Sequence, residues 1–148
     1  MKKLFFFAMM LSLAACDLIQ SDDDKATEVA VQWGEAYFNC DYHAAKELCT
    51  PDSHRWLQFA ASNTTQHDLD LLKQHAAEIE ATDYFPEASD TLRMVQLVVR
   101  NSVSPHINGD ESVQQEEALL FHTTVVKRNG HWLVRMAGLP RSEKQSRD

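Results

Sequence analysis

The fold is decided by residues 116–139, which read EEALLFHTTVVKRNGHWLVRMAGL. Branched and aromatic residues on both sides of Asn129-Gly130 are typical of β-strands. Asn-Gly between two such runs is the strongest short signal for a type I′ hairpin, because both central residues of that turn need a positive φ. The stretch therefore predicts two antiparallel strands, over 116–128 and 131–139, joined by a two-residue turn.

The turn also determines which side chains of the hairpin share a face, because pairing alternates outward from Arg128 opposite His131. We assign the bulkier, more apolar face to a core covered by helices. That face holds the pairs Lys127–Trp132, Val125–Val134, Thr123–Met136 and Phe121–Gly138. The other face holds His122, Thr124, Val126, Leu133, Arg135 and Ala137.

Two further strands are predicted upstream of the hairpin. Residues 77–82 alternate between apolar and polar, and residues 91–103 are rich in branched side chains. Turn-forming residues separate the two over 86–90, and a loop follows over 104–112. Four antiparallel strands in a meander are therefore expected.

The first half of the chain follows a helical period instead. Apolar residues over 26–37 recur at spacings of three and four, which predicts a first helix. Asp41 is placed to cap a second helix, Thr50-Pro51 to begin a third, and Thr65 with Asp68 to begin a fourth. The order predicts an α+β fold, with N-terminal helices packed on a curved antiparallel sheet of about four strands.

The N-terminus has the pattern of an export signal. Lys2 and Lys3 precede a short apolar run over 4–13, and Ala14-Ala15 comes directly before Cys16. The run is shorter than the about 20 residues that span a bilayer. This order resembles a bacterial lipobox, which implies cleavage before Cys16 and attachment of lipid, with acyl chains such as palmitate, at that cysteine. A plain signal peptide with a chance cysteine, or an uncleaved anchor, is the alternative.

Residues 16–25 are expected to be an acidic tether, whose Asp22-Asp23-Asp24 also favours the start of a helix. An Asp-rich stretch behind an acylated cysteine resembles a cell-surface export tag of some Gram-negative bacteria. Asp17, directly after the cysteine, resembles an inner-membrane retention mark instead. We expect an exported protein, lipid-anchored to the cell envelope of a Gram-negative bacterium, with the outer membrane or cell surface favoured.

The rest of the chain suits a single domain. Residues 1–15 carry two lysines and no acid, so the net charge without them is −10 rather than −8. An acidic surface repels phosphates, and no nucleic-acid partner is expected. We predict a signal peptide over 1–15, a tether over 16–25, one domain over 26–140 and a charged, frayed tail over 141–148.

Cys40 and Cys49 flank the predicted second helix. At 1.5 Å per residue their Cα atoms lie about 13 Å apart, whereas a disulfide needs them within about 7 Å. We expect both to be free and buried, although an export compartment favours disulfides.

Three stretches carry a resemblance to known proteins, residues 37–42 (YFNCDY), 48–53 (LCTPDS) and 129–136 (NGHWLVRM). They are similar to stretches in small lipoproteins of Gram-negative bacteria. The order of elements resembles the nuclear-transport-factor-two-like fold, a cone of curved sheet around a long helix that ketosteroid isomerase and scytalone dehydratase share with many binding domains. The resemblance implies either a binding module or an isomerase- or dehydratase-like enzyme that uses the cone.

A proton-transfer enzyme of this fold needs an acid or base that points into the cone. Neither occurs among the core-facing strand residues Phe121, Thr123, Val125, Trp132, Val134 and Met136. The cone is either a packed core or a site for a small apolar ligand. Its expected lining is Trp33, Tyr37, Tyr42, Phe121, Thr123, Trp132 and Met136.

On the other face of the sheet, His122, Leu133 and Arg135 are expected to form an interface, for instance in a homodimer. Catalysis by the His122–Arg135 pair is the less favoured alternative for this face.

Metal chemistry has little support in the sequence. His43 with Glu47, and His67 with His75, supply two ligands each, and a zinc site needs three or four. No phosphate-binding loop or nucleophile motif is present. We therefore expect no metal, no cofactor and no catalytic residue. The expected function is a membrane-anchored, non-enzymatic module that binds a small ligand or a protein.

Overall fold

The computed structural model describes residues 20–86, 89–104 and 111–144. For residues 83–86 it describes the backbone only. The predicted signal peptide and Cys16 lie outside these residues. The helices are α1 (Asp22–Phe38), α2 (Tyr42–Glu47), α3 (His54–Asn63) and α4 (Gln66–Gln74), with a 3-10 turn at Pro51–Ser53. The strands are β1 (Glu78–Pro86), β2 (Leu92–Arg100), β3 (Val103–Ser104), β4 (Val113–Gln114), β5 (Leu119–Arg128) and β6 (His131–Arg135).

The main sheet has four strands in the order β1-β2-β5-β6, and each neighbouring pair is antiparallel. The short strands β3 and β4 pair separately. Helix α1 lies across one face of the main sheet and contacts all four of its strands. This confirms the predicted α+β class, with N-terminal helices packed on a four-stranded antiparallel sheet.

Helix α1 begins at Asp22, four residues before the predicted start of the domain. Ser21 and Asp24 form a capping box, in which the Asp24 N–H donates to Ser21 Oγ at 3.1 Å. The three acidic residues therefore occupy the first helical turn, where the helix dipole favours negative charge. The acidic run is the start of α1 rather than part of a tether that extends to residue 25.

Helix α1 approaches the sheet most closely at Gly34. A Cβ atom at this position would lie 3.1 Å from Ile79 Cγ2 and 3.1 Å from Leu97 Cδ1. Such a separation is tighter than an ordinary van der Waals contact. The missing side chain of Gly34 is therefore what lets α1 pack against β1 and β2.

The predicted hairpin turn is confirmed. Asn129 has φ 52° and Gly130 has φ 78°, as a type I′ turn requires. The ladder runs from Arg128 opposite His131 to Thr124 opposite Arg135. The register predicted next to the turn is therefore correct.

The predicted register is wrong beyond Arg135, where β6 ends four residues before residue 139. The N–H of Met136 donates to Ser53 Oγ at 2.8 Å, so it is not available to β5. The predicted pairings Thr123–Met136 and Phe121–Gly138 do not form, and Phe121 is bridged by Ser142 instead. Residues 142 and 143 are thus part of the sheet edge rather than of a frayed tail.

The outer edge of β6 is covered by the segment between α2 and α3. The N–H of Thr50 donates to the Val134 carbonyl at 2.9 Å, and the N–H of Val134 donates to the Leu48 carbonyl at 2.8 Å. Covering an edge strand in this way protects it from pairing with another chain.

The core follows the predicted face of the hairpin. Phe121, Thr123, Val125, Trp132, Val134 and Met136 are all buried. The exception is Val126, which was assigned to the opposite face and is only 6% exposed. Its neighbours across the ladders are Leu92 and Leu133, so a second apolar patch lies on the outer face of the sheet.

The second strand and the two free cysteines were predicted, but the length of the strand and the burial of Cys40 differ from the prediction. Strand β2 stops at Arg100, and Asn101 adopts a positive φ of 58°. Cys40 and Cys49 are both free, as expected, but only Cys49 is fully buried. Within the described residues, no helix is both long and apolar enough to cross a bilayer.

Candidate functional site

The interior of the domain is filled by aromatic side chains. Trp33 stacks on Tyr37 at a centroid distance of 5.0 Å, and Phe38 packs against Phe121 at 4.8 Å. Tyr37 also meets Tyr42 edge to face at 5.8 Å. These distances are typical of packed aromatic pairs. The predicted cone lining is therefore mainly core, and Phe38 is a member that the sequence analysis missed.

Trp33, Phe121, Trp132 and Met136 belong to one core cluster, against which Tyr37 and Tyr42 pack, but not all of the predicted lining residues share ring contacts. Trp33, Tyr37, Tyr42 and Phe121 are linked through ring contacts. Trp132 instead lies beneath two cations, with Arg93 at 5.4 Å and Lys127 at 5.8 Å from its ring centroid. Thr123 and Met136 are buried and line a small pocket with Trp33, described below.

Three titratable groups of the interior, Tyr37, Tyr42 and Cys49, are held in their neutral forms. Burial raises the pKa of Tyr37 and of Tyr42 well above the ordinary tyrosine value. The Tyr42 hydroxyl also lies 2.8 Å from Thr64 Oγ1 and 3.5 Å from Cys40 Sγ. Burial raises the pKa of the Cys49 thiol to about 11, partly opposed by the Trp33 indole N–H. None of these groups is a good base at neutral pH.

Asp68 is a buried carboxylate, with 6% of the residue exposed. Its Oδ2 accepts the backbone N–H of Thr65 at 2.7 Å, which completes the capping box of α4. Its Oδ1 is buried without a hydrogen-bond partner in the described part of the chain. The capping role was predicted, and it accounts for the position of this acid at the start of α4.

Two concave sites border Arg135, one at the hairpin end of the sheet and one where β6 leaves β5. An open groove of about 450 Å³ runs along the hairpin end of the sheet. Its lining is Ser89, Thr91, Leu92, Val126, Lys127, Arg128 and Arg135. We call this the Arg135 groove, and none of its lining side chains is acidic.

A second pocket, of about 230 Å³, opens where β6 leaves β5. Residues 136–141 form one wall, and residues 122–124 of β5 form the other. Trp33 lies among its lining residues, together with the imidazole of His122 and the cations Arg135 and Arg141. The pocket exists because the chain departs from the ladder at Met136.

Ion pairs neutralise part of the positive charge of the Arg135 groove. Lys127 Nζ lies 2.9 Å from Asp22, and Arg128 lies 3.2 Å from Asp52. The hydrogen bond from Lys127 lowers the pKa of Asp22. The pKa of Asp52 is lowered first by a hydrogen bond from Thr50 and also by Arg128. Arg135 has no ion pair within the residues that the structure describes.

The start of α1 is attached to this same end of the sheet. Asp22 pairs with Lys127, and Asp23 accepts from Arg93 Nε at 3.0 Å. Both cations also lie over the ring of Trp132. This cluster, which we call the α1 clamp, joins the N-terminal end of the described domain to β2, β5 and β6.

The structure places the three predicted interface residues on the outer face but gives them different surroundings. His122 Nε2 lies 2.7 Å from Glu143 Oε1, Leu133 is half-buried, and Arg135 is exposed. The same Glu143 oxygen accepts from Gln96 at 3.1 Å. No local sequence signal pairs His122 with Glu143, because the return of residues 142–143 to β5 is a tertiary event.

No group of three or more metal-binding side chains occurs among residues 20–86, 89–104 and 111–144. His67, one of the residues considered as a ligand, bonds the carbonyl of Ser112 at 3.0 Å.

Comparison with known proteins identifies no family. No family model matches the chain, and no curated protein matches it. Five chains of solved structures match. One is a substituted form of Rv3472, a function unknown protein from Mycobacterium tuberculosis, with 9% identity and a TM-score of 0.47 over 80% of this chain and 70% of that chain. A likeness of this degree defines neither a family nor a function, so the superfamily resemblance stays a prediction.

Proposed function

We propose that the chain is an exported lipoprotein, acylated at Cys16, whose domain acts at the cell envelope of a Gram-negative bacterium as a non-enzymatic binding module. The observation that carries this proposal is the order of features in residues 1–16. Two lysines, a short apolar run and two alanines come directly before a cysteine. Diacylglycerol and acyl chains together hold a small domain on a bilayer, because each buried methylene contributes about 0.8 kcal/mol.

The start of the domain fits such an anchor. Helix α1 begins at Asp22, six residues after Cys16. The acidic run that follows the cysteine is bonded within the domain, with Asp24 in the capping box and Asp22 and Asp23 in the α1 clamp. This structural use of the acids argues against a free export tag, which was the basis for favouring the outer membrane or cell surface, so the proposal places the anchor in the cell envelope without choosing a membrane.

The chemistry of the domain favours binding over catalysis. The interior is packed with aromatic rings, and its tyrosines and Cys49 stay protonated at neutral pH. An isomerase- or dehydratase-like enzyme would need a charged base in a water-accessible chamber. The concave surfaces lie instead around Arg135. The lipid would raise the effective concentration of this surface next to membrane-bound partners.

A second copy of the chain is one candidate partner for the outer face. Leu92, Val126 and Leu133 are neighbours across the ladders there and form an apolar patch, in which Leu92 and Leu133 are half-buried. Two such patches that meet about a twofold axis would bury each other.

The proposal is tested by expressing the full chain in a Gram-negative host and weighing the mature protein by mass spectrometry. We expect an N-terminus at Cys16 with the added mass of diacylglycerol and acyl chains. Cys16→Ser should abolish the added mass and the cleavage. Cys40→Ser, a matched change at a free cysteine, should keep both. An unmodified mature chain that fractionates away from membranes would contradict the proposal.

A further inference from the structure

We propose that the Arg135 groove binds the anionic headgroup of a phospholipid in the bilayer that carries the anchor. The inference deepens the proposed function and rests on acylation of Cys16. Its basis is the position of the groove relative to the start of α1, together with the charge and chemistry of its lining.

The anchor brings this end of the domain to the membrane. Five residue steps separate Cys16 from Ser21, and a chain of that length reaches at most about 18 Å. Ser21 directly precedes α1, whose first residue, Asp22, bonds Lys127 at 2.9 Å. Lys127 lines the groove. A lipid on Cys16 therefore keeps the hairpin end of the sheet, where the groove lies, close to the headgroups, because the segment from Cys16 to Ser21 is short.

The charge of the groove complements an anionic lipid. Of its three cations, Lys127 and Arg128 are each balanced by one aspartate, whereas Arg135 has no ion pair in the described part of the chain. Arg135 therefore offers a positive charge for the single negative charge of a phosphatidylglycerol headgroup. Without residues 1–15 the chain has a net charge of −10, so an anionic bilayer repels most of its surface and favours approach by this end.

The remaining lining also suits a glycerophosphate headgroup. Ser89 and Thr91 supply hydroxyls, which lie 3.0 Å from each other. Leu92 and Val126 supply apolar surface in the same groove. Cations for the phosphate, hydroxyls for the glycerol and a short apolar contact are the features that an amphiphilic anion needs.

The test uses the mature protein purified from membranes and reconstituted into vesicles, with hydrogen exchange read by mass spectrometry. One set of vesicles contains phosphatidylcholine alone, and the other contains equal parts of phosphatidylcholine and phosphatidylglycerol. We expect amides over 126–135 to exchange about fivefold more slowly on the anionic vesicles at low salt. The difference should disappear at high salt, because screening removes it.

Two charge-matched variants distinguish the groove from the anchor. Arg135→Gln should abolish the dependence on phosphatidylglycerol. Arg100→Gln should keep this dependence, because Arg100 lies far from the groove. Across the two ladders Arg135 is level with Met94 of β2. Arg100 is six residues further along that strand, about 20 Å away.

The outcomes separate the two proposals. An acylated protein whose exchange is the same on both vesicles, or whose Arg135→Gln variant behaves as the wild type, overturns this inference alone. A mature protein without acyl groups overturns both.

Discussion

Ser53 shows how one small polar side chain can determine where a strand ends. It is completely buried, shares a hydrogen bond of 2.7 Å with Thr50 and accepts the N–H of Met136 at 2.8 Å. A buried N–H without an acceptor is costly. Ser53 therefore stabilises the departure of the chain from β5 and, with it, the pocket between β5 and residues 136–141.

We expect Ser53→Ala to lower the free energy of unfolding by about 1–3 kcal/mol, because the Met136 N–H loses its acceptor inside the protein. Chemical denaturation measures the change. Ser62→Ala is the matched control, since Ser62 is exposed and bonds only the Gln58 carbonyl of its own helix. Its effect should stay within about 0.5 kcal/mol. Equal effects of the two substitutions would show that the Ser53 bond has no special role.

Among the elements, α1 and β1 are connected by the side chain of Asn39, which follows the last residue of the helix. Its Nδ2 donates to the carbonyls of Glu35 at 2.8 Å and Ala77 at 3.0 Å, and its Oδ1 accepts the Ala77 N–H at 2.8 Å. One amide thus ends the helix and positions the start of β1. The close approach of α1 at Gly34 depends on the same relative placement of helix and strand.

Asn39→Ala is expected to destabilise the domain by about 1–2 kcal/mol. The substitution removes one hydrogen bond to Glu35 of α1 and two to Ala77, the residue before β1. Asn63→Ala provides the comparison, because Asn63 ends α3 and bonds only the local carbonyl of Phe59. Thermal unfolding of the two variants gives the difference. If Asn63→Ala cost as much as Asn39→Ala, the connection between α1 and β1 would not be the cause.

At the scale of the whole molecule, the α1 clamp defines where the folded domain begins. Asp22 and Asp23 reach Lys127 and Arg93, which are about 70 to 105 residues away in sequence. These ion pairs are exposed, and each is worth little by itself. Together with the capping box they attach the first turn of α1 to the sheet, so that the acidic residues 22–24 belong to the folded domain.

A chain that begins at Gln20 should therefore be more stable than one that begins at Ala26, the predicted start of the domain. The shorter chain lacks the capping box and both clamp aspartates. We expect its melting temperature to be about 5 °C lower, chiefly because the helix cap is lost. Calorimetry of the two chains at equal ionic strength measures this, and equal melting temperatures would restore residue 26 as the boundary.

The sequence alone determined the features that depend on neighbouring residues. The Asn129-Gly130 turn, the capping boxes at Ser21 and Thr65, and the alternation that buries one face of the hairpin are set within a few residues. The capping signal at Ser21 was present but not recognised, so the start of α1 was placed too late. Local rules predicted the class of fold and the core, because backbone φ, caps and side-chain period are local properties.

Only the tertiary structure decided where β6 ends, what surrounds Arg135 and which residues line the two concave sites. Those features depend on Ser53 meeting Met136 and on Ser142 and Glu143 returning to β5. Each contact joins residues about 20 to 80 positions apart. No local pattern encodes such contacts, because they form only when packed helices bring the distant segments together.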